Sequence, residues 1–365
     1  MYLNNLFFLA GLNYPVWEYI YEMPLDVYYG EDCLEFPERV VCFGGHMPSA
    51  NDLTYVNVSL NAVVRASCQQ QSQWHLSRIQ QPLDLNYINY NPYFKNTSDF
   101  TVVVMDTWMD VDHSQLQGRA KRWKSFVPHD PHRFPEHATH CAGLVGSKDY
   151  GTARDAQIAS VQILGDDGAG DYASMIQALH YVLTQIRSST SKNKFVVSLS
   201  VGGPQDAAVN RAVESLLPFA PVFVAAGNSA EDACLTSPSS SRLVFTVAAS
   251  NVFNKFSSFS NFGTCVDLIA PGENIVSLCP RNQLCAMSGT SMATPLSAGL
   301  LVNYWAERPE LNSGQVMARF WHKLALGVID GVPAKTVNRF LFKQAAPCLW
   351  HDDLDQIVFE GCPFY

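Results

Sequence analysis

From Leu296 to Trp305 the chain reads Leu-Ser-Ala-Gly-Leu-Leu-Val-Asn-Tyr-Trp, apolar on nearly every face of a helix. Such a helix has no side to offer water, so a core must enclose it. Immediately before it stands Ser288-Gly289-Thr290-Ser291-Met292-Ala293-Thr294-Pro295. Pro295 reads as a first-turn residue, where a missing N–H is not felt. A serine at this helix mouth sits among unpaired backbone N–H groups and the positive end of the dipole. That setting favours negative charge and suits a hydroxyl that attacks a carbonyl and leaves an oxyanion behind. The plainer reading is a small-residue turn into a core helix, and the residues upstream decide between them.

A chain of 365 residues with 47% hydrophobic content can build one large α/β domain and a smaller unit. From about Trp74 onward, apolar runs alternate with helical patterns. Phe100 to Met105 is a continuous β-branched run, as expected of a parallel strand buried on both faces. Further strands are expected at Ile158–Leu164, Phe195–Val201, Val222–Ala226, Leu243–Ala249 and Cys265–Ala270, with helices at Tyr172–Ile186 and Ala207–Leu217. This alternation predicts an α/β fold, a parallel sheet with helices on both faces. Sites in such sheets gather at the carboxyl ends of the strands.

Residues 1–70 differ in character, being rich in aromatics and acids. Leu6 to Leu12 reads either as a weak secretory signal core, the favoured choice, or as a first strand. On the first choice residues 1–15 are a signal peptide and 16–70 a small α+β unit, with a strand at Leu53–Leu60. The polar stretch Ser67 to Gln73 is a linker or cleavage site, residues 71–345 form the main domain and 346–365 a tail. A net charge of −9 without a basic block argues against nucleic acid as a partner. No apolar run approaches the roughly 20 residues that span a bilayer. Ten cysteines, several closely paired, suit an oxidising compartment, and their spacings match no zinc-site pattern.

Four positions carry the chemistry. Asp106 ends the Phe100 strand, and His137 follows 31 residues later at the start of a helix of small residues. Asn228 follows the strand Phe223-Val224-Ala225-Ala226, and Ser291 closes the series. A lone aspartate, histidine or asparagine at such a place is ordinarily structural; the four in this order are not easily so.

With these residues the chain resembles the subtilisin family of serine proteases, most closely its proteinase K-like branch. The resemblance runs from about Trp74 to Phe342 and includes Trp74-His75-Leu76-Ser77-Arg78-Ile79, Gly118-Arg119-Ala120, Ser198-Leu199-Ser200-Val201-Gly202-Gly203, Phe256-Ser257-Ser258-Phe259-Ser260-Asn261 and Ala270-Pro271-Gly272. It implies a subtilisin-like fold and a serine endopeptidase of the S8 type working through an acyl-enzyme. Ser291 is then the nucleophile, His137 the base and later the acid, and Asp106 the group that orients the imidazole. Asn228 would donate to the oxyanion beside the Ser291 N–H, and Ser200, Val201, Gly202 and Gly203 would pair with the substrate backbone. The chain departs from the family pattern at Trp108, Glu136, Ala138 and Leu296. Ala138 is expected to be tolerated as helical, whereas Trp108 lies near the cleft and could narrow it.

The resemblance also implies a bridge between Cys234 and Cys265, with Cys279–Cys285 closing the loop before Ser291. Cys348–Cys362 would tie the tail and Cys33–Cys42 the front unit, leaving Cys68 over and Cys141 a buried thiol. Calcium binding in the branch uses a carboxylate where this chain has Asn251, so no metal or other cofactor is expected. The segment before Trp74 would be an inhibitory propeptide, making the chain a zymogen whose partners are polypeptide substrates and its own propeptide. The pocket residues Ser198 to Val201 and Val224 to Gly227 carry no acid, which favours apolar or aromatic side chains. A secreted, lumenal or cell-surface location follows. The alternative is a self-cleaving or catalytically restricted relative that serves as a binding or regulatory module.

Overall fold

A computed structural model describes residues 73–80, 95–130, 132–189 and 193–343, together with the backbone of three short strands nearer the start. Those strands, β1 (Glu22–Met23), β2 (Cys33–Phe36) and β3 (Arg39–Cys42), form a small antiparallel sheet in the order β1-β3-β2. Its register sets Cys33 opposite Cys42. The expected signal segment, the strand at Leu53–Leu60, cysteines 68, 348 and 362 and the tail lie outside the described residues.

The main domain is built on a nine-stranded sheet. Its strands are β4 (Phe100–Asp106), β5 (Ala120–Ser125), β6 (Gln157–Gln162), β7 (Lys194–Leu199), β9 (Val222–Ala225), β11 (Phe245–Ser250), β12 (Leu268–Pro271), β15 (Ala325–Leu326) and β16 (Arg339–Phe340). They lie in the order β15-β16-β12-β11-β9-β7-β4-β6-β5. Neighbours are parallel except the outermost pair, β15 and β16. Two smaller antiparallel pairs flank the cleft: β8 (Gly203–Pro204) with β10 (Thr236–Ser237), and β13 (Ile275–Cys279) with β14 (Gln283–Met287).

Successive side chains of a strand point to opposite faces, and here each face meets its own core. Phe100, Val102 and Val104 enter one core; Val103 and Met105 enter the other. Helices α1 (Trp74–Gln80), α2 (Glu136–Gly146), α5 (Thr290–Glu307) and α6 (Ser313–Lys323) cover the first face, and α3 (Tyr172–Ser188) and α4 (Ala207–Glu214) the second. Burial on both sides is why β4 has no polar residue until Asp106 apart from Thr101.

Helix α5 is the enclosed helix foreseen from its composition. Between Thr290 and Trp305 every residue is buried except Ser291. Each buried leucine contributes about 1.5–3 kcal/mol relative to exposure. Its buried polar groups are answered: Thr294 Oγ1 donates to Thr290 O and Ser297 Oγ to Ala293 O, each at 2.8 Å, and Asn303 donates to Thr152 O. One expectation needs correction. The helix begins at Thr290, so Pro295 lies inside it, past the first turn. Its missing N–H would have served the carbonyl of Ser291.

Strand limits also shift. Pairing of β7 stops at Leu199, two residues before the apolar run ends, because the chain there leaves the ladder to form the cleft. Leu243 is 59% exposed, and β11 starts only at Phe245. Cys265 is held in a disulfide rather than in β12.

Candidate active site

Three strands deliver their ends to one place. Asp106 is the last residue of β4, Ser200 follows β7, and Asn228 lies three residues beyond the end of β9. Two helices point their first turns there: His137 is the second residue of α2 and Ser291 the second of α5.

Asp106 is 1% exposed, and both its carboxylate oxygens lie 2.9 Å from His137 Nδ1. The Thr107 N–H also donates to Asp106 Oδ1 at 2.6 Å, and Thr107 Oγ1 accepts the Ala138 N–H at 3.3 Å. The aspartate and the start of α2 are therefore fixed to one another. The Asp106 charge raises the His137 pKa well above its usual value, against the opposing pull of burial. With Nδ1 turned to the carboxylate, Nε2 is the ring nitrogen left for chemistry.

Ser291 Oγ donates to the carbonyl of Ser200 at 3.4 Å, and no hydrogen bond joins it to His137 in this structure. The two residues are linked instead through Cys141 on α2. Its buried sulfur lies 4.0 Å from His137 Nδ1 and 3.5 Å from Ser291 O. Catalytic hydrogen bonds are often long without substrate and tighten in the substrate complex.

Asn228 is aimed by Thr290. Its Oδ1 accepts the Thr290 N–H at 2.8 Å and the Thr290 hydroxyl at 3.0 Å, leaving Nδ2 for the cleft. A Cβ placed on Gly289 would lie 3.3 Å from Asn228 Nδ2 and 3.6 Å from the Ser291 N. The same position lies 3.7 Å from Asn228 Oδ1, so a side chain at 289 would crowd the Asn228 amide. The Ser291 N–H belongs to the first helical turn, where no intrahelical acceptor exists. Gly227 makes the turn that brings Asn228 here, with φ +108°, and a Cβ on it would lie 2.4 Å from Asn261 Nδ2. Asn261 in turn accepts the Ser229 and Glu231 N–H groups and donates to Ala226 O. Neither Thr290 nor Asn261 was singled out from sequence for these roles. The only signal was their presence in stretches that resemble the family.

Of the expected substrate-pairing residues, Gly202 is exposed with room beside its Cα, whereas Gly203 pairs with Ser237. The Tyr172 hydroxyl donates to Pro204 O at 2.5 Å, tying this segment to the first residue of α3. Trp108 stacks on His129 with ring centroids 3.9 Å apart, and the Arg122 guanidinium lies 4.8 Å over its ring. Its contacts are thus with β5 and with the loop preceding His137. Two cavities border that loop: one of about 600 Å³ lined by Val127, Asp166 and Asp171, the other of about 430 Å³ lined by Glu136, Arg281 and Gln283. Arg133 lines both.

Disulfides join Cys234 to Cys265, as the resemblance implied, and Cys279 to Cys285, closing the loop before Ser291 as expected, and Cys141 is a free thiol. Among the described residues, Asp106, His137 and Cys141 bring metal-capable atoms within 4.8 Å of one another. They are a soft, mixed set and not the all-oxygen shell that calcium takes. Asn251 Oδ1 accepts the N–H groups of Phe253 and Lys255. No helix among the described residues is long and apolar enough to cross a membrane.

Comparison with known proteins bears on the same residues. The family model described as the subtilase family, peptidase S8, matches residues 97–341. Subtilisin-like protease 3 of Saccharomyces cerevisiae is 37% identical over 270 residues, covering 69% of this chain and 55% of that protein. The subtilisin-like serine protease Rho m 2.0101 of Rhodotorula mucilaginosa is 36% identical over 297 residues, covering 74% of this chain and 86% of that one. The chain therefore spans little more than half of the yeast relative. Among solved structures, a cold adapted subtilisin-like serine proteinase superposes with a TM-score of 0.69 at 32% identity, covering 78% of this chain and 99% of that one. With the family match extending over most of its length, this chain belongs to the subtilase family.

Proposed function

We propose that this chain is a serine endopeptidase that cleaves polypeptides through an acyl-enzyme on Ser291. The observation that carries the reading is the buried Asp106–His137 pair joined through Cys141 to Ser291 in the first turn of α5, with Asn228 bonded to the adjacent Thr290. In the first half-reaction Ser291 Oγ bonds to the substrate carbonyl carbon while its proton passes to His137 Nε2. The carbonyl π electrons move to oxygen, which accepts hydrogen bonds from Asn228 Nδ2 and the Ser291 N–H. Asp106 stabilises the imidazolium. Collapse of the intermediate breaks the C–N bond, and His137 gives its proton to the departing amine. Water then takes the place of the amine and the same steps release the acid.

The Ser200 to Gly202 segment would hold the substrate backbone in an extended form. Residues 198–201 and 224–227 include no acid, which favours apolar or aromatic side chains over Arg or Lys in the specificity pocket. Triad and amide donors supply each proton transfer and the oxyanion contacts, so no metal step is invoked. The disulfides support maturation in a secretory, oxidising compartment, with the segment before Trp74 acting as propeptide. The test is covalent labelling by a serine-directed phosphonate together with casein turnover. Label on Ser291 and loss of both signals in Ser291→Ala are expected. Casein turnover that persists in Ser291→Ala would remove the serine from the mechanism.

A further inference from the structure

The carbonyl of Ser291 has no helical donor, because the residue four places on is Pro295. Two side chains from separate elements supply donors instead. Ser200 Oγ, just past β7, reaches the carbonyl at 2.9 Å, and Cys141 Sγ, one turn after His137 on α2, reaches it at 3.5 Å. Ser200 is 7% exposed and Cys141 fully buried, so water competes little for either bond. Burial pushes the Cys141 thiol up and keeps its proton available for donation. Ser291 Oγ answers by donating to Ser200 O at 3.4 Å, so residues 200 and 291 are bound to each other in both directions.

We propose that Ser200, assisted by Cys141, is a positioning residue that grips the carbonyl Pro295 leaves free and so holds Ser291 with its hydroxyl and N–H facing the substrate. The inference rests on Ser291 being the nucleophile. A peptide whose carbonyl swings freely would let the Cα of residue 291 rotate, moving both the attacking oxygen and one oxyanion donor. An ordinary helix would hold that carbonyl through residue 295 and leave α5 tied only to itself. Here the same carbonyl ties the nucleophile to the strand that carries the substrate segment and to the helix that carries the base.

Steady-state kinetics on a peptide substrate and phosphonate labelling rates test this in Ser200→Ala, Ser200→Thr, Pro295→Ala and Ser200→Ala/Pro295→Ala, with thermal melts as a folding check. Ser200→Ala should lower kcat and the labelling rate about 3- to 10-fold, the worth of one such hydrogen bond, with KM within about twofold. Ser200→Thr, which keeps the hydroxyl, should recover most of the rate. In the Pro295→Ala background a main-chain N–H replaces the lost donor, so removing the Ser200 hydroxyl should cost less than about twofold. Cys141→Ala should cost only about twofold, a thiol being a weak donor. The proposal is overturned if Ser200→Ala keeps the wild-type kcat, or if its cost is the same with and without Pro295. Failure of the wild-type protein to label at all would instead bring down the nucleophile assignment, and this inference with it.

Discussion

Asn228 offers one amide oxygen and one amide nitrogen, and Thr290 takes the oxygen twice. That leaves the nitrogen no rival acceptor from this partner, which is what an oxyanion donor needs. Asn228→Ala is expected to lower kcat by ~10²–10³, a figure known for subtilisin's own oxyanion asparagine, with little change in KM. At His137 the sign is set by Asp106. Activity requires neutral imidazole, so kcat/KM should rise with pH along a limb centred above about 6.5, since the folded value is raised. In Asp106→Asn that limb should move down while the rate falls by ~10⁴, as known for the same change in trypsin. A pH–rate series on both proteins reads both effects, and an unmoved limb would exclude Asp106 as its cause. The stability term has the matching sense: with the folded pKa raised, the Asp106–His137 pair stabilises fully below the unfolded value and loses that contribution as pH rises through the folded one. The strand ends and helix mouths on which Asp106, His137, Asn228 and Ser291 stand were legible in the sequence. Thr290 and Asn261 were not, because their roles come from contacts made 62 and 35 residues away along the chain.

The strands were legible where they are buried on both faces. β5 was missed: Ala120-Lys121-Arg122-Trp123-Lys124-Ser125 lies at the sheet edge and carries charge, as edge strands do. The β13–β14 hairpin was missed too, because Gln283 to Met287 is only partly covered and shows no continuous apolar run. Pro295 was misplaced by a turn, since the helix start is set by Gly289 and Asn228 rather than by the proline. The turn at Gly227 is an element-scale device with a clear test. Positive φ and a Cβ 2.4 Å from Asn261 Nδ2 make Gly227→Ala incompatible with the present loop. The variant should lose kcat to at least the extent of Asn228→Ala, and Asn261→Ala should reproduce part of that loss; wild-type turnover in Gly227→Ala would contradict this geometry. The Cys234–Cys265 bridge spans 31 residues, so its removal in Cys234→Ser/Cys265→Ser should cost roughly 4 kcal/mol in denaturant unfolding by chain entropy. An unchanged midpoint would show the loop ordered without it.

Over the whole domain, buried titratable groups set the response to acid. Burial holds His75 at about 4 and His140 at about 3. His140 Nε2 pairs with Ile275 O at 2.9 Å, and burial of the ring outweighs such bonds in holding the imidazole neutral. Both folded values lie below the unfolded 6.5, so stability is complete above about pH 6.5 and falls as pH drops toward 4 and 3. Melting temperature should therefore decline through that window, with a shallower slope in His140→Gln. Asp267 works in the opposite sense. Burial raises it to about 7, so its ionisation costs folding energy progressively between the unfolded 3.8 and 7. Asp267→Asn should raise the melting temperature at pH 7 and above and change little near pH 4; the reverse pattern would mean the carboxylate is well solvated.

Helix α5 carries Ser291 as its single uncovered residue between Thr290 and Trp305. If Ser291 is the nucleophile proposed above, its activity depends on the packing that encloses α5. Heat, acid or nicking that loosens the interior should extinguish hydrolysis at the first step, before the chain's own loops become digestible. On that reading a failing molecule is disarmed toward its neighbours.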